Sequence, residues 1–241
     1  MVSLGSAVGY LDIDTSKFKQ GFEDALNDVK KFNDELKGSK EKFKVAAEGM
    51  TTAGSFLTKN VTVPILGIGT GMVLAASKFD KASQSLQVSI GATDEKMQSL
   101  DEVMKRVYEN NYGEGFEDIS DALAEVNKQL GDLSEEELQN VTESAFAFRD
   151  AFDVDVAESI RTANTIMTNF GTTSEEAFDL MTWGMQNGLN FSDELIDSIN
   201  EYGPQFKKLG FSAEEMFQIF QKGAETGAWN LDKVGDAVKE L

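Results

Sequence analysis

Gly171-Thr-Thr-Ser-Glu-Glu-Ala177 decides the fold, because the chain writes the same sentence four times. Its counterparts are Gly91-Ala-Thr-Asp-Glu-Lys-Met97, Gly131-Asp-Leu-Ser-Glu-Glu-Glu137 and Gly210-Phe-Ser-Ala-Glu-Glu-Met216. The four glycines stand 40, 40 and 39 residues apart. A fixed period of this size is the mark of stacked helical repeats, in which no unit buries its apolar face alone. The punctuation has a physical content. Glycine supplies the left-handed conformation that closes a helix, and the Ser/Thr and Glu that follow satisfy the free amides of the next one. Gly91, Gly131, Gly171 and Gly210 are therefore read as repeat caps.

Working outward, residues 78–241 form an acidic helical-repeat core. Each unit holds a first helix after its glycine, a loop, and a second helix beginning near Phe116, Val154, Phe191 or Asn230. Two units agree in finer detail. Glu175 to Gly188 aligns with Glu214 to Gly227, placing Phe178 and Phe217 at equivalent core positions and Gly188 and Gly227 at equivalent helix stops. Trp183 and Trp229 fall late in their units and read as packing or partner contacts.

The preceding residues divide into three. Residues 1–14 are a short strand-like lead, with Val8, Tyr10 and Ile13 around Asp12 and Asp14. Residues 15–60 carry a heptad pattern: Phe18, Phe22, Ala25, Val29, Phe32 and Leu36, then Phe43, Ala46, Met50, Ala53 and Leu57 in the same frame. Two apolar positions in seven make a seam suited to a coiled coil. Unbroken, residues 15–57 would extend about 65 Å. A hairpin broken at Gly38-Ser39 fits the same residues, since glycine inside a helix costs only about 1 kcal/mol. The self-association candidates are Phe18, Phe22, Val29, Phe32, Leu36, Phe43, Met50 and Leu57. Residues 61–77 are an apolar, glycine-rich segment without charge from Val61 to Ala76. It falls short of the roughly 20 apolar residues that span a bilayer. Gly67 and Gly71 form a small-xxx-small pair for close helix contact or membrane entry. A buried helix in an assembly, transient membrane contact and a loop remain open. The fold class expected is all-α: a coiled-coil-like helix, then an array of repeats of about 40 residues, with one short strand-like segment at the start.

Charge is segregated. The chain carries −20 overall, yet residues 1–79 hold 10 basic and 9 acidic side chains, leaving 12 and 33 for the rest. So acidic a surface repels phosphate, and direct nucleic-acid binding is not expected. Neither cysteine nor histidine occurs, which excludes disulfides, thiolate nucleophiles, Cys/His zinc sites and histidine acid–base catalysis. Paired carboxylates tempt: Asp12/Asp14, Asp153/Asp155, Glu175/Glu176 and Glu214/Glu215. The glutamate pairs recur at helix starts, where acid favours the dipole, and Asp153-Val-Asp155 lacks the further oxygen ligands of a calcium loop. Gly113-Glu-Gly115 and Gly67-Ile-Gly69-Thr-Gly71 lack the context of a phosphate-binding loop. No catalytic, cofactor-binding or metal-ligating residue is identified, and the chain reads as a non-enzyme.

The order of segments is itself distinctive. Leu11-Asp-Ile-Asp-Thr-Ser-Lys-Phe18 leads into the heptads. The stretch Ala47 to Ile65 follows, containing Leu57-Thr-Lys-Asn-Val-Thr-Val-Pro-Ile65. After it come the glycine run and Ala76-Ser-Lys-Phe-Asp-Lys-Ala-Ser-Gln-Ser-Leu86. This order resembles the N-terminal region of a phage tail tape-measure protein, of phage, prophage or phage-tail-like bacteriocin. The later Leu209-Gly-Phe-Ser-Ala-Glu-Glu215 is similar to that family's helical core. The resemblance implies a virion protein on which tube subunits polymerise, whose length sets tail length and which leaves the tube with the DNA. It implies as partners the tail-tube protein, tail assembly chaperones and tail-tip or baseplate hub proteins. Self-association as a homo-oligomer is expected from the heptads. The implied location is the tail lumen, and the host cytoplasm during assembly. The peptidoglycan-cleaving domains of some members have no matching residues here. One unbroken helix of 241 residues would reach about 360 Å, modest for a tail, so the chain is expected to be a fragment. A soluble helical-repeat adaptor and a membrane-active helical protein using residues 61–76 are the alternative readings.

Overall fold

A computed structural model describes residues 72–131 and 133–240, with side chains from residue 77 onward. They belong to the second of two compact units, Ala47–Leu241. The strand-like lead, the heptad positions from Phe18 to Leu57, and Gly67 and Gly71 lie outside the described residues.

Among the described residues all regular structure is helical. The elements are α1 (Met72–Ile90), α2 (Asp94–Glu109), α3 (Phe116–Leu130), α4 (Glu135–Phe152) and α5 (Val156–Phe170). They continue with α6 (Ser174–Gln186), α7 (Leu195–Lys208), α8 (Ala213–Glu225) and α9 (Leu231–Lys239). Odd-numbered helices pack on odd, α1 on α3, α3 on α5, α5 on α7 and α7 on α9; even helices stack likewise from α2 to α8. The result is a two-layer helical array whose unit is an even helix and the odd helix after it.

The helix boundaries follow from local chemistry. Gly171 closes α5 at φ +74°, ψ +24°, where any side chain is strained, and Gly91, Gly131 and Gly210 have positive φ at the same junction. Thr173 caps α6 by accepting from Glu176 N, while the Glu176 carboxylate accepts from Thr173 N. Ser134 and Glu137 repeat the exchange on α4, and Ser212 and Glu215 on α8. On α2 the corresponding third residue is Lys96, so Thr93 caps alone.

Between the layers runs one apolar core that includes Leu100, Met104, Leu123, Phe146, Ile160, Ile199 and Phe220. Phe178 and Phe217 are both buried in it, at 2% and 0% exposure. The aligned Gly184 and Gly223 now have a common purpose. A Cβ on Gly184 would sit 2.9 Å from both Leu195 and Phe217, and one on Gly223 would collide with Val234. Each glycine lets the following odd helix approach an even-helix backbone. The second helices start at Phe116, Val156, Leu195 and Leu231, so the expected start near Phe191 is four residues early. Asn190 is the reason: its side chain accepts from Leu195 N at 3.1 Å. With Asp193 at φ +56°, that contact holds Phe191 in the turn.

Replacing Phe178 or Phe217 by alanine should cost about 3–5 kcal/mol each, a large share of a typical stability of about 5–15 kcal/mol. Thermal melts followed by circular dichroism check this, and an unshifted midpoint would place the rings outside the cooperative core.

Candidate functional site

The carboxylate pairs resolve into backbone work. Asp153 ends α4 in the left-handed conformation, and Asp155 caps α5 by accepting from Ala157 N and Glu158 N. Glu176 and Glu215 belong to capping exchanges, and Glu214 accepts from the Ser212 hydroxyl at 2.7 Å. Asp12 and Asp14 lie outside the described residues. Among those described, no three acidic side chains are grouped to hold a metal ion, and no helix is long and apolar enough to cross a membrane.

What the repeats share is a set of polar bridges from one unit to the next. On the even layer, Arg106 reaches from α2 to Glu135 and Gln139 of α4, at 3.0 and 2.8 Å. Ser99 donates to Glu135 and Asn110 to Glu143, both at 2.8 Å. On the odd layer, Asn200 of α7 donates to the Thr162 hydroxyl of α5 and accepts from Thr165, each at 2.7 Å. The buried Ser120 hydroxyl of α3 donates to the Ala82 carbonyl of α1. Arg149 ties the layers together, donating to Asp118 of α3 at 2.8 Å with its guanidinium over the Phe146 ring.

The tightest of these bridges joins α7 to α9. The Tyr202 hydroxyl donates to Asp232 at 2.6 Å and lies 3.0 Å from Asp236, one turn further along α9. Burial raises the Tyr202 pKa, and the two carboxylates hold its proton more firmly still. A phenol so buried, at 1% exposure, and so firmly protonated is a structural latch. Gly235 lies under the same ring, and a methyl there would collide with it. Sequence reasoning missed these contacts. The signal available was Tyr202 lying 30 and 34 residues before Asp232 and Asp236, short of one period, with glycine between the acids.

A surface cleft of about 700 Å³ lies between α1 and the start of α3, lined by Lys78, Lys81, Ser85, Glu114, Phe116 and Asp121 among others. Burial, then Glu117 and Asp118, raises the Asp121 pKa. Acids and lysines are mixed along its walls.

The phage-related minor tail protein family model matches residues 109–241, more than half of the chain. The chain belongs to that family. Over 49 residues it is 41% identical to a probable tape measure protein of Streptomyces phage phiC31, covering 20% of this chain and 7% of that one. Over 136 residues it is 26% identical to the uncharacterized protein YqbO of Bacillus subtilis strain 168, covering 56% and 8% respectively. The chain thus spans under a tenth of the length of these relatives. No solved structure matches it.

The minor tail protein region begins at the last residue of α2 and takes in α3 to α9, so it covers the odd-layer bridges from α5 to α9 and the three reciprocal caps. The two tryptophans within it part company. Trp183 packs against the core, whereas Trp229 is 88% exposed.

Two outcomes test the junctions. Tyr202→Phe leaves two carboxylates facing a ring that no longer donates, and should cost about 1–3 kcal/mol. Gly235→Ala should undock α9 selectively. Hydrogen exchange should then show lost protection in α9 while α4 and α6 keep theirs; uniform loss would contradict a local latch.

Acid should act in two opposed steps. Hydrogen bonds from Ser134 lower the Glu137 pKa, those from Ser99 and Arg106 lower that of Glu135, and those from Lys233 and Tyr202 lower that of Asp236. Their stabilisation is present above the ordinary carboxylate range and is lost as pH falls through the folded values. Asp121, raised, does the reverse and favours the folded state on protonation. Melting temperature should therefore fall as pH drops below about 4.5, less steeply in Glu137→Gln. A midpoint that holds or rises below that pH would refute this assignment.

Proposed function

We propose that the chain is the N-terminal part of a tail tape-measure protein. In this reading it templates tail-tube assembly, sets tail length and occupies the tube lumen until DNA ejection. The observation that carries it is the 41% identity to a probable tape measure protein of a phage, within a chain of the minor tail protein family. The helical repeats agree with a protein that works through extent and surface rather than bond-making. Their acidic exterior agrees with a molecule that shares a narrow space with DNA and does not adhere to it. The partners in this reading are the tail-tube protein, assembly chaperones and the tail-tip or baseplate hub. The heptad stretch, through Phe22 and Val29, supplies self-association.

Excising residues 171–209 from the full parent gene removes one complete unit, α6 and α7, and leaves Gly210 to follow Phe170. If length is read as helix, tails should shorten by about 58 Å, measured on negatively stained particles. Tails of unchanged length would reject the tape-measure role while leaving membership of the tail. Absence of the polypeptide from purified tails would reject both.

A further inference from the structure

Among the described residues, Trp229 is the most exposed of the large apolar side chains. At 88% exposure it contrasts with the buried Leu231 two residues on. Its turn, residues 226–230 between α8 and α9, is held at almost every step. Thr226 N donates to Lys222 O, Gly227 N to Ala224 O and Ala228 N to Gly223 O, at 3.0–3.1 Å. Asn230 caps α9 by accepting from Lys233 N. The same Asn230 donates to Glu194 at 3.2 Å, fastening this turn to residues 187–194 of the previous unit. That second turn presents Phe191, 47% exposed, between Asn190, which bonds Leu195 N, and the left-handed Asp193. Two adjoining turns, tied to each other, thus each hold out one aromatic ring on fixed backbone. An anchor already ordered before contact loses little entropy on binding, and buried Trp is among the commonest sources of interface energy.

Charge decides what can sit there. From Gln186 to Asp197 there is no lysine or arginine, while Asp193, Glu194 and Asp197 are all present. On the neighbouring turn Lys222 is paired with Glu225 and Lys233 with Asp236, at 3.6 and 3.1 Å. The rim is therefore anionic around an aromatic centre, on a chain of net charge −20. Nucleic acid, an anionic bilayer and a second copy of this acidic array all meet like charge.

We infer that the edge formed by Phe191 and Trp229 is a docking surface for a cationic protein partner, whose apolar pocket or helix face takes the indole and whose lysines or arginines meet Asp193, Glu194 and Asp197. This inference is independent of the tape-measure reading, because it needs no tail to be tested.

The probe is a fluorescein-labelled amphipathic helical peptide of leucine and lysine, with a counterpart in which glutamate replaces every lysine. Binding to the full chain is read by anisotropy. The lysine peptide should bind saturably, and more weakly as salt rises. Trp229→Ala should weaken it at least tenfold and Phe191→Ala several-fold. Val88→Ala, which removes a comparably exposed residue on α1, should leave the affinity unchanged. Both aromatic substitutions should leave the melting temperature unmoved, separating lost docking from lost fold. Equal binding of the glutamate peptide, no binding of either, unaltered affinity in Trp229→Ala, or Trp229-dependent self-association on sedimentation would each overturn the assignment.

Discussion

A single amphipathic helix pair in water has more apolar surface than it can hide, and everything described here follows from how that surplus is covered. Each unit of about 40 residues places an even and an odd helix so that their shared face is completed by the next unit. Phe178 is covered in part by Phe148 of the unit before, and Phe217 sits against the glycine gap at Gly184 of the unit before. Stability in such an array is close to a sum of units and junctions, so the junctions carry information that the individual helices do not.

The junctions are finished with polar groups, and their kind changes along the chain. Arg106 serves the first even-layer junction, Asn200 with two threonines serves the middle of the odd layer, and Tyr202 with two aspartates serves its end. Because each bridge uses different chemistry, a slipped register would leave unlike groups facing one another. The price is a latch at α9 that depends on Gly235 and on deprotonated carboxylates. That end of the array is consequently open to disruption by added side-chain volume at Gly235.

Function in a molecule of this design lies on the outside. Glu137, Glu176 and Glu215, acids at helix starts, serve the backbone. Among the described residues, Phe191 and Trp229 form an edge where aromatic rings stand clear of the surface.

The residue string alone determined the helical class, the period and the sites where helices end, because caps are local: Gly171, Thr173 and Glu176 act within a few residues of one another. It also determined Phe178 and Phe217 as core, since an aligned repeat reveals equivalent environments. Local pattern placed the helix start near Phe191, and the Asn190 turn moved it to Leu195, a matter of one side chain reaching one amide. Only the stacked structure decided why Gly184 and Gly223 carry no side chain and that Tyr202 faces Asp232 and Asp236. It alone separated Trp183, packed on the core, from Trp229, left in water. The distances along the chain differ: Gly223 meets Val234 of its own unit, whereas Tyr202 meets Asp232 and Asp236, 30 and 34 positions on. Sequence distance does not encode that proximity; the packing of one helix layer on another does.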